Sequence, residues 1–475
     1  MGFSRFSIIL LVLLSIGASS NAQTKNSVGK VMPPDAAPLD RQVFRYFIAE
    51  PTTLDISVAV YAVTDGTILF ERLLALDENN QIIPAVAERW ESSPDGRIWT
   101  FHLRRGATWT DGHPVTAHDF EYSFKRMVDP QSGNVYAFFY YDIKGARAFN
   151  QGQAKDASKV GVRAIDDYTF QIEAEHPCPY LPYLTSFPTS SPVPRWQVER
   201  YGPKWTEEGN WVGNSSYRLV EWKKGRRLVY ELNPRYNGPN KGYIERYVAI
   251  INPVGGVGAG TVPYENNEMD RLVISTLDLD RVRKDPVLSK ELWRWPVFTT
   301  WYLIFKTQAP PFDKVEVRQA ISHAIDREAI CDVVLKGLGT PAYTMLPPQF
   351  PGYVGDKYRE IQRYDPRLAQ ELLAKAGYPG GKGFPEVEMW TRQASQEARM
   401  IVQAIQGMLK GILGITVKIR DVEQKAYMDN MYQHTIPMSF IAFGYDYPDP
   451  NNMFSDDLAL PTEGVWATGL EESFV

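Results

Sequence analysis

The chain has 475 residues, a formal net charge of −5, and lysines and arginines interspersed among slightly more numerous acids. That length exceeds one ordinary hydrophobic core and predicts two or three lobes. No concentrated basic field exists to pair with phosphates, which excludes nucleic acid as the partner.

In chain order, Arg5 precedes an apolar run from Phe6 to about Ile16, and small residues lead to Ser20-Asn21-Ala22. This is the layout of a cleavable secretory signal peptide over residues 1–22, with an apolar core too short for a comfortable membrane span. No cysteine follows the cut to carry a lipid, and no later stretch is apolar enough to enter a bilayer. The mature chain is therefore expected to be soluble and exported. Its start, Gln23 to about Leu39, is polar and contains proline, which predicts a loose arm.

Ile98–Leu103 alternates apolar and polar groups and predicts a strand. A turn at Thr110-Asp111-Gly112 follows. Thr116 then stands three residues before Asp119, the spacing of a capping box, and Phe120, Phe124 and Met127 recur at helical spacing up to Asp129-Pro130. The glycines of 255–260 follow a strand near Val248–Ile251 and lack both the dinucleotide fingerprint and the Lys-Ser/Thr of a phosphate loop, so they predict a flexible connection. A helix is expected from Val315 to Leu335, with Val317, Ala320, Ile321, Ala324 and Ile325 inward. Asp365-Pro366 opens another, with Leu368, Leu372, Leu373 and Ala376 on one face and Gly377 at its end. A long helix over Ser395–Leu413 leads into a strand at Thr416–Arg420. Alternating helices and strands of this kind predict α/β layers.

Chemistry-bearing motifs are absent. There is no Gly-x-Ser-x-Gly elbow, no His-Glu-x-x-His and no cysteine pair at metal spacing. His113 and His118 fall on a turn and a helix start, where surface or capping roles fit better than metal binding. Asp166-Asp167 and Asp456-Asp457 read as solvated loop acids. No cofactor and no catalysis are expected. Cys178 and Cys331 lie far apart in sequence; two separate buried thiols is the simpler reading, although export leaves a disulfide open.

Three segments then carry a resemblance: Pro84–Trp90, Trp99–Arg104 and Trp109–Phe120. Together they resemble the signature of bacterial extracellular solute-binding proteins of the peptide/nickel class. Glu50–Asp55, Phe70–Leu74, Val162–Thr169, Pro310–Ala320 and Ala374–Tyr378 agree in order, and the likeness runs from about Arg45 to Asn452. Thr189–Pro194 and Tyr201–Trp205 are similar to the oligopeptide-binding branch.

The resemblance implies an α/β, two-lobed periplasmic-binding-protein fold (type II, cluster C-like) with an extra subdomain on lobe one. Lobe one would comprise 23–70 and 190–298, the subdomain 71–189 and lobe two 299–475. It implies a monomer that captures short peptides between its lobes and delivers them to an inner-membrane ABC permease. Asp446 would hold the peptide's α-ammonium, and the run Ser439–Gly444, with Phe443, Ala442, Gly444 and the following Tyr445, would pair with the peptide backbone. Tyr136, Phe139 and Tyr140, within a cluster that also holds Phe138 and Tyr141, resemble an aromatic wall facing the ligand, with subdomain core as the alternative. Val58 completes the expected contacts on lobe one. Gln424, Met431 and Phe440 depart from the family, which tends to have a tryptophan at the first position and basic residues at the other two; this opens ligand length and the alternatives of a metal chelate, haem or sugar. Only 29 residues follow Asp446, fewer than family members have. The usual return to lobe one is therefore expected to be missing, with a truncated, chaperone-like remnant as a further alternative.

Overall fold

The computed structural model describes residues 24–58, 66–252 and 260–454. The signal peptide, most of the glycine run at 255–260, Asp456-Asp457 and the tail from Leu458 lie outside the described residues.

The chain forms fourteen strands among the described residues: β1 Val43–Ile48, β2 Leu74–Leu76, β3 Ile82–Pro84, β4 Ala87–Ser92, β5 Ile98–Leu103, β6 Val162–Asp166, β7 Thr169–Glu173, β8 Tyr217–Lys223, β9 Arg227–Leu232, β10 Arg246–Ile251, β11 Thr299–Phe305, β12 Val387–Arg392, β13 Val417–Val422 and β14 Met438–Gly444. They build three four-stranded sheets and one hairpin. The first sheet has the order β1-β10-β9-β8, with β1 parallel to β10. The second, β4-β5-β7-β6, is antiparallel throughout. The third, β11-β14-β12-β13, is mixed. One apolar core joins the first two sheets, and a second lies around the third.

Local sequence explains the main helices. Helix α1 (Ala117–Met127) starts at the capping box, where the Thr116 amide donates to Asp119 Oδ2 at 2.8 Å. Phe120, Phe124 and Met127 are buried on its inner face. Helix α2 (Val315–Ala324) buries Val317, Ala320, Ile321 and Ala324. Helix α3 (Pro366–Lys375) is capped by Asp365, whose side chain accepts from the Leu368 amide at 3.0 Å, with proline at its first position. Its buried positions are Ala369 and Leu373, continued by Ala376 at its C-cap, so Leu368 and Leu372 flank the face instead of centring it. Helix α4 (Gln396–Met408) is capped by Ser395 and ends in a π-helical turn over Leu409–Leu413. Helix α5 (Gln424–Tyr432) leads towards β14.

Two expectations are corrected. The helix over 315–335 is broken at Ile325. Asp326 caps a new start by accepting from the Ala329 amide at 2.8 Å, and Arg327 Nη1 donates to the carbonyls of Ser322, Ile325 and Gln362. These bonds satisfy the frayed end better than a continued helix would. The arm after the signal region is not loose from Thr24 onwards. Asn26 is buried and donates from Nδ2 to the carbonyls of Gly242 and Tyr243, Ser27 bonds Glu245, and Lys30 lies 3.8 Å over the Tyr243 ring. The 241–243 carbonyls lie outside any strand, and the polar arm supplies the donors they need.

Cys178 and Cys331 are both free and buried. Burial pushes their thiols up, to about 12 and about 11 respectively.

Candidate binding site

The site is built on β14. On one side β11 pairs with it along its whole length, from Thr299↔Gly444 to Phe305↔Met438. On the other side β12 pairs with it only at Met438 and Ser439. The remainder, Phe440–Gly444, therefore has one open edge. The Tyr445 amide donates to Phe298 O at 2.8 Å on the β11 side. Alternation then turns the amides and carbonyls of Ala442 and Gly444 to the open edge. Both residues are exposed and small, which lets another backbone approach closely. Phe443 and Tyr445 project elsewhere, packing together at 5.1 Å, with Tyr445 4.4 Å from Phe350 and its hydroxyl donating to Met345 O.

At the end of this edge stands Asp446. Its amide donates to Asn452 Oδ1 at 2.8 Å, and Tyr136 donates from its hydroxyl to Asp446 Oδ1 at 3.3 Å. Burial pushes the Asp446 carboxyl up to about 7, and hydrogen bonds from Tyr136 and Asn452 offset only part of that. Among the described residues no Lys, Arg or His lies within ion-pair reach of it. A largely enclosed carboxylate with two neutral partners and no cation is an incomplete arrangement that an incoming ammonium completes.

The next residue, Tyr447, is buried in the first core. Its ring meets Phe139 at 5.6 Å edge-on and stacks on Tyr180 at 6.5 Å. Tyr136, Phe139 and Phe187 pack around the same point, with centroids 5.0–5.2 Å apart. The third sheet thus reaches the aromatic cluster of the second through Asp446-Tyr447. Sequence reasoning named the cluster and Asp446 but missed Asn452, which bonds Asp446, and Tyr447 and Phe187, which pack against the cluster beside it. The signal for Tyr447 was its place in Tyr445-Asp446-Tyr447-Pro448.

Tyr140 belongs to the packing. It is fully buried, with its hydroxyl bonded to Thr189 Oγ1 at 2.8 Å and donating to Leu184 O. Val58 is partly buried at the end of a loop pinned by Asp55. Asp55 pairs with Arg126 Nη2 at 2.6 Å and accepts from Ser57 Oγ and from Trp205 Nε1. Among the described residues no hydrogen bond or ring contact joins Val58 to Asp446. Met431 lies buried with Trp390, Tyr427, Ile436 and Ile441, Phe440 lies in the second core, and Gln424 is exposed at the first position of α5. Two of the three departures are thus apolar packing positions and carry no charge.

Tyr136→Phe removes the hydroxyl that stabilises ionised Asp446. We expect a three- to tenfold loss of affinity for a free-amine peptide in calorimetry, with less than about 1 kcal/mol change in stability. An unchanged affinity would show that this hydrogen bond does not support the carboxylate.

A family model described as bacterial extracellular solute-binding proteins, family 5 middle, matches residues 81–459. The chain belongs to this family. Its sequence is 34% identical over 400 residues to the periplasmic oligopeptide-binding protein OppA of Salmonella typhimurium, covering 82% of this chain and 72% of that protein. Among solved structures, the murein tripeptide binding protein MppA of Escherichia coli superposes with a TM-score of 0.75 at 29% identity, covering 90% of this chain and 84% of the other. The Haemophilus influenzae OppA, solved in complex with the peptide RPPGFSPFR, gives 0.71 at 26% identity, with 91% and 85% covered. The fold of this family 5 chain is the two-lobed α/β binding-protein fold of these structures. No helix among the described residues is long and apolar enough to cross a membrane, and no group of three or more His, Cys, Asp or Glu among them is placed to hold a metal.

Proposed function

We propose that this family 5 protein is an exported, periplasmic, monomeric receptor that captures short peptides and delivers them to an inner-membrane ABC-type importer, without catalysis and without a cofactor. The lobes are proposed at 23–70 with 190–298 and at 299–475, with 71–189 as an extra subdomain inserted between the two segments of lobe one. The peptide's α-ammonium sits on Asp446, its backbone lies along the open edge at Ala442 and Gly444, and Tyr136 and Phe139 form the wall beside its first residue. Tyr140 supports that wall from behind, and Val58 closes the site from lobe one.

The observation that carries this reading is the Asp446 carboxylate, largely enclosed and, among the described residues, without a cation. Backbone pairing at an open edge ignores side-chain identity, so it suits a receptor for peptides of varied sequence. Mass spectrometry of ligand released from the native protein tests the assignment. The expected result is a mixture of short peptides with free N-termini. A single non-peptide solute, or peptides blocked at the N-terminus, would overturn it.

A further inference from the structure

The open edge of β14 has a second end. β12 accompanies β14 in parallel through Trp390↔Ser439 and stops two residues later at Arg392. There the chain turns aside. Gln393 takes a left-handed conformation, with φ of 43°, and its amide donates to Val422 O towards β13. The space beyond Arg392, alongside Ala442–Gly444, is therefore a lane in line with β12. A ligand strand in that lane has Asp446 at one end and the tip of β12 at the other.

Arg392 is exposed, and among the described residues its one polar contact is the Met428 thioether, 3.8 Å from Nη1. Among the described residues no carboxylate lies within ion-pair reach of it. The nearest acid along β13, Asp421, is engaged by Thr391, the Ala394 amide and Arg399. Tyr302, which faces Ile441 across the sheet, buries a hydroxyl that has no hydrogen-bond partner among the described residues, and the charge of Arg392 reaches that hydroxyl. Met431 and Phe440 are packed away in apolar clusters and offer no charge here.

We propose that Arg392 receives the α-carboxylate of the bound peptide and so determines ligand length. This rests on the peptide reading above and adds its second terminus. A guanidinium presents a planar fork that matches a carboxylate with two parallel hydrogen bonds. The register places the tip of β12 beside Ile441, five residues before Asp446. At about 3.3 Å per residue that separation is roughly 16 Å, the span of an extended chain of four to five residues. The reach of the arginine side chain extends the range down to three.

Tri-, tetra- and penta-alanine test this, each as the free acid, the C-terminal amide and the N-acetyl form, titrated against the full chain and its Arg392→Gln and Arg392→Lys variants. The wild type is expected to prefer the acid to the amide by tenfold or more at its best length. That preference should fall to within about twofold in Arg392→Gln and be partly restored in Arg392→Lys, while all three proteins still lose affinity on N-acetylation. An acid preference that survives Arg392→Gln overturns the assignment, as does a wild type that binds acid and amide equally. Indifference to N-acetylation, with an intact Arg392-dependent acid preference, overturns the Asp446 reading alone. Failure of every alanine peptide to bind the wild type overturns both.

Discussion

Replacing Asp446 with asparagine is expected to abolish capture of free-amine peptides while making the unliganded protein more stable at alkaline pH. The two effects share one cause. Burial raises the folded-state pKa to about 7, whereas an unfolded aspartate titrates near 3.8. The native state therefore binds the extra proton between those values, and the contribution of this group to stability falls as pH rises from about 4 to 7. Above 7 the full penalty of holding a buried, unpaired carboxylate is present. Three pKa units correspond to about 4 kcal/mol, an upper figure because the group retains some contact with solvent. At pH 8 Asp446→Asn should thus raise the ligand-free unfolding free energy by about 2–4 kcal/mol in chemical denaturation, and at pH 4 the gain should vanish. Peptide binding moves the other way. The wild-type affinity should fall up to tenfold per unit as pH drops below about 7, because the carboxylate must shed its proton to meet an ammonium. It should fall again above about 8 as the peptide's own amine deprotonates. A variant with no alkaline stabilisation, or a wild type whose affinity is flat between pH 5 and 7, would contradict this account.

The second large effect concerns the loop that carries Val58. Asp55 is buried and holds Arg126, Ser57 and Trp205 together. Asp55→Ala leaves the Arg126 guanidinium, about one-fifth exposed, without its anion, and the buried Trp205 indole without an acceptor. Removing one partner of such a pair costs about 3–5 kcal/mol, with a further loss from the stranded indole donor. A drop in the urea midpoint matching at least about 3 kcal/mol is expected. Arg126→Met with Asp55→Leu, which removes both charges, should recover a good part of it. If the single and double variants are equally destabilised, the pair does not organise the loop.

Much of the fold was legible because its local signals are self-contained. Thr116 with Asp119, and Asp365 with Pro366, announce helix starts with no reference to the rest of the chain. The alternation in Ile98–Leu103 likewise sufficed for β5, which buries Phe101 and Leu103. The break at Ile325 was not legible, because the bond that favours it runs from Arg327 to a carbonyl 35 residues away. The docked arm was missed for a similar reason: its partners lie more than 200 residues on. At the site, Asp446 was a candidate through the family resemblance of its motif, but that no cation among the described residues reaches it is a tertiary fact. Phe139 and Tyr140 are neighbours on a short 3-10 helix, Ala137–Tyr140. Sequence cannot tell which of the two meets Tyr447 and which turns its hydroxyl to Thr189. Arg392 gave no signal of its own, since its position matters only once β12 is seen to stop beside an unpaired stretch of β14.

The two buried thiols give the molecule a pair of built-in clocks. Cys178 is sealed in the core shared by the first two sheets, while Cys331 sits in the π-helical turn beside the core of the third. With thiol groups held near 12 and 11, neither forms much thiolate at neutral pH while folded. A thiol-reactive probe therefore stays silent until one body opens, and the residue labelled first tells which half of the molecule loosens first.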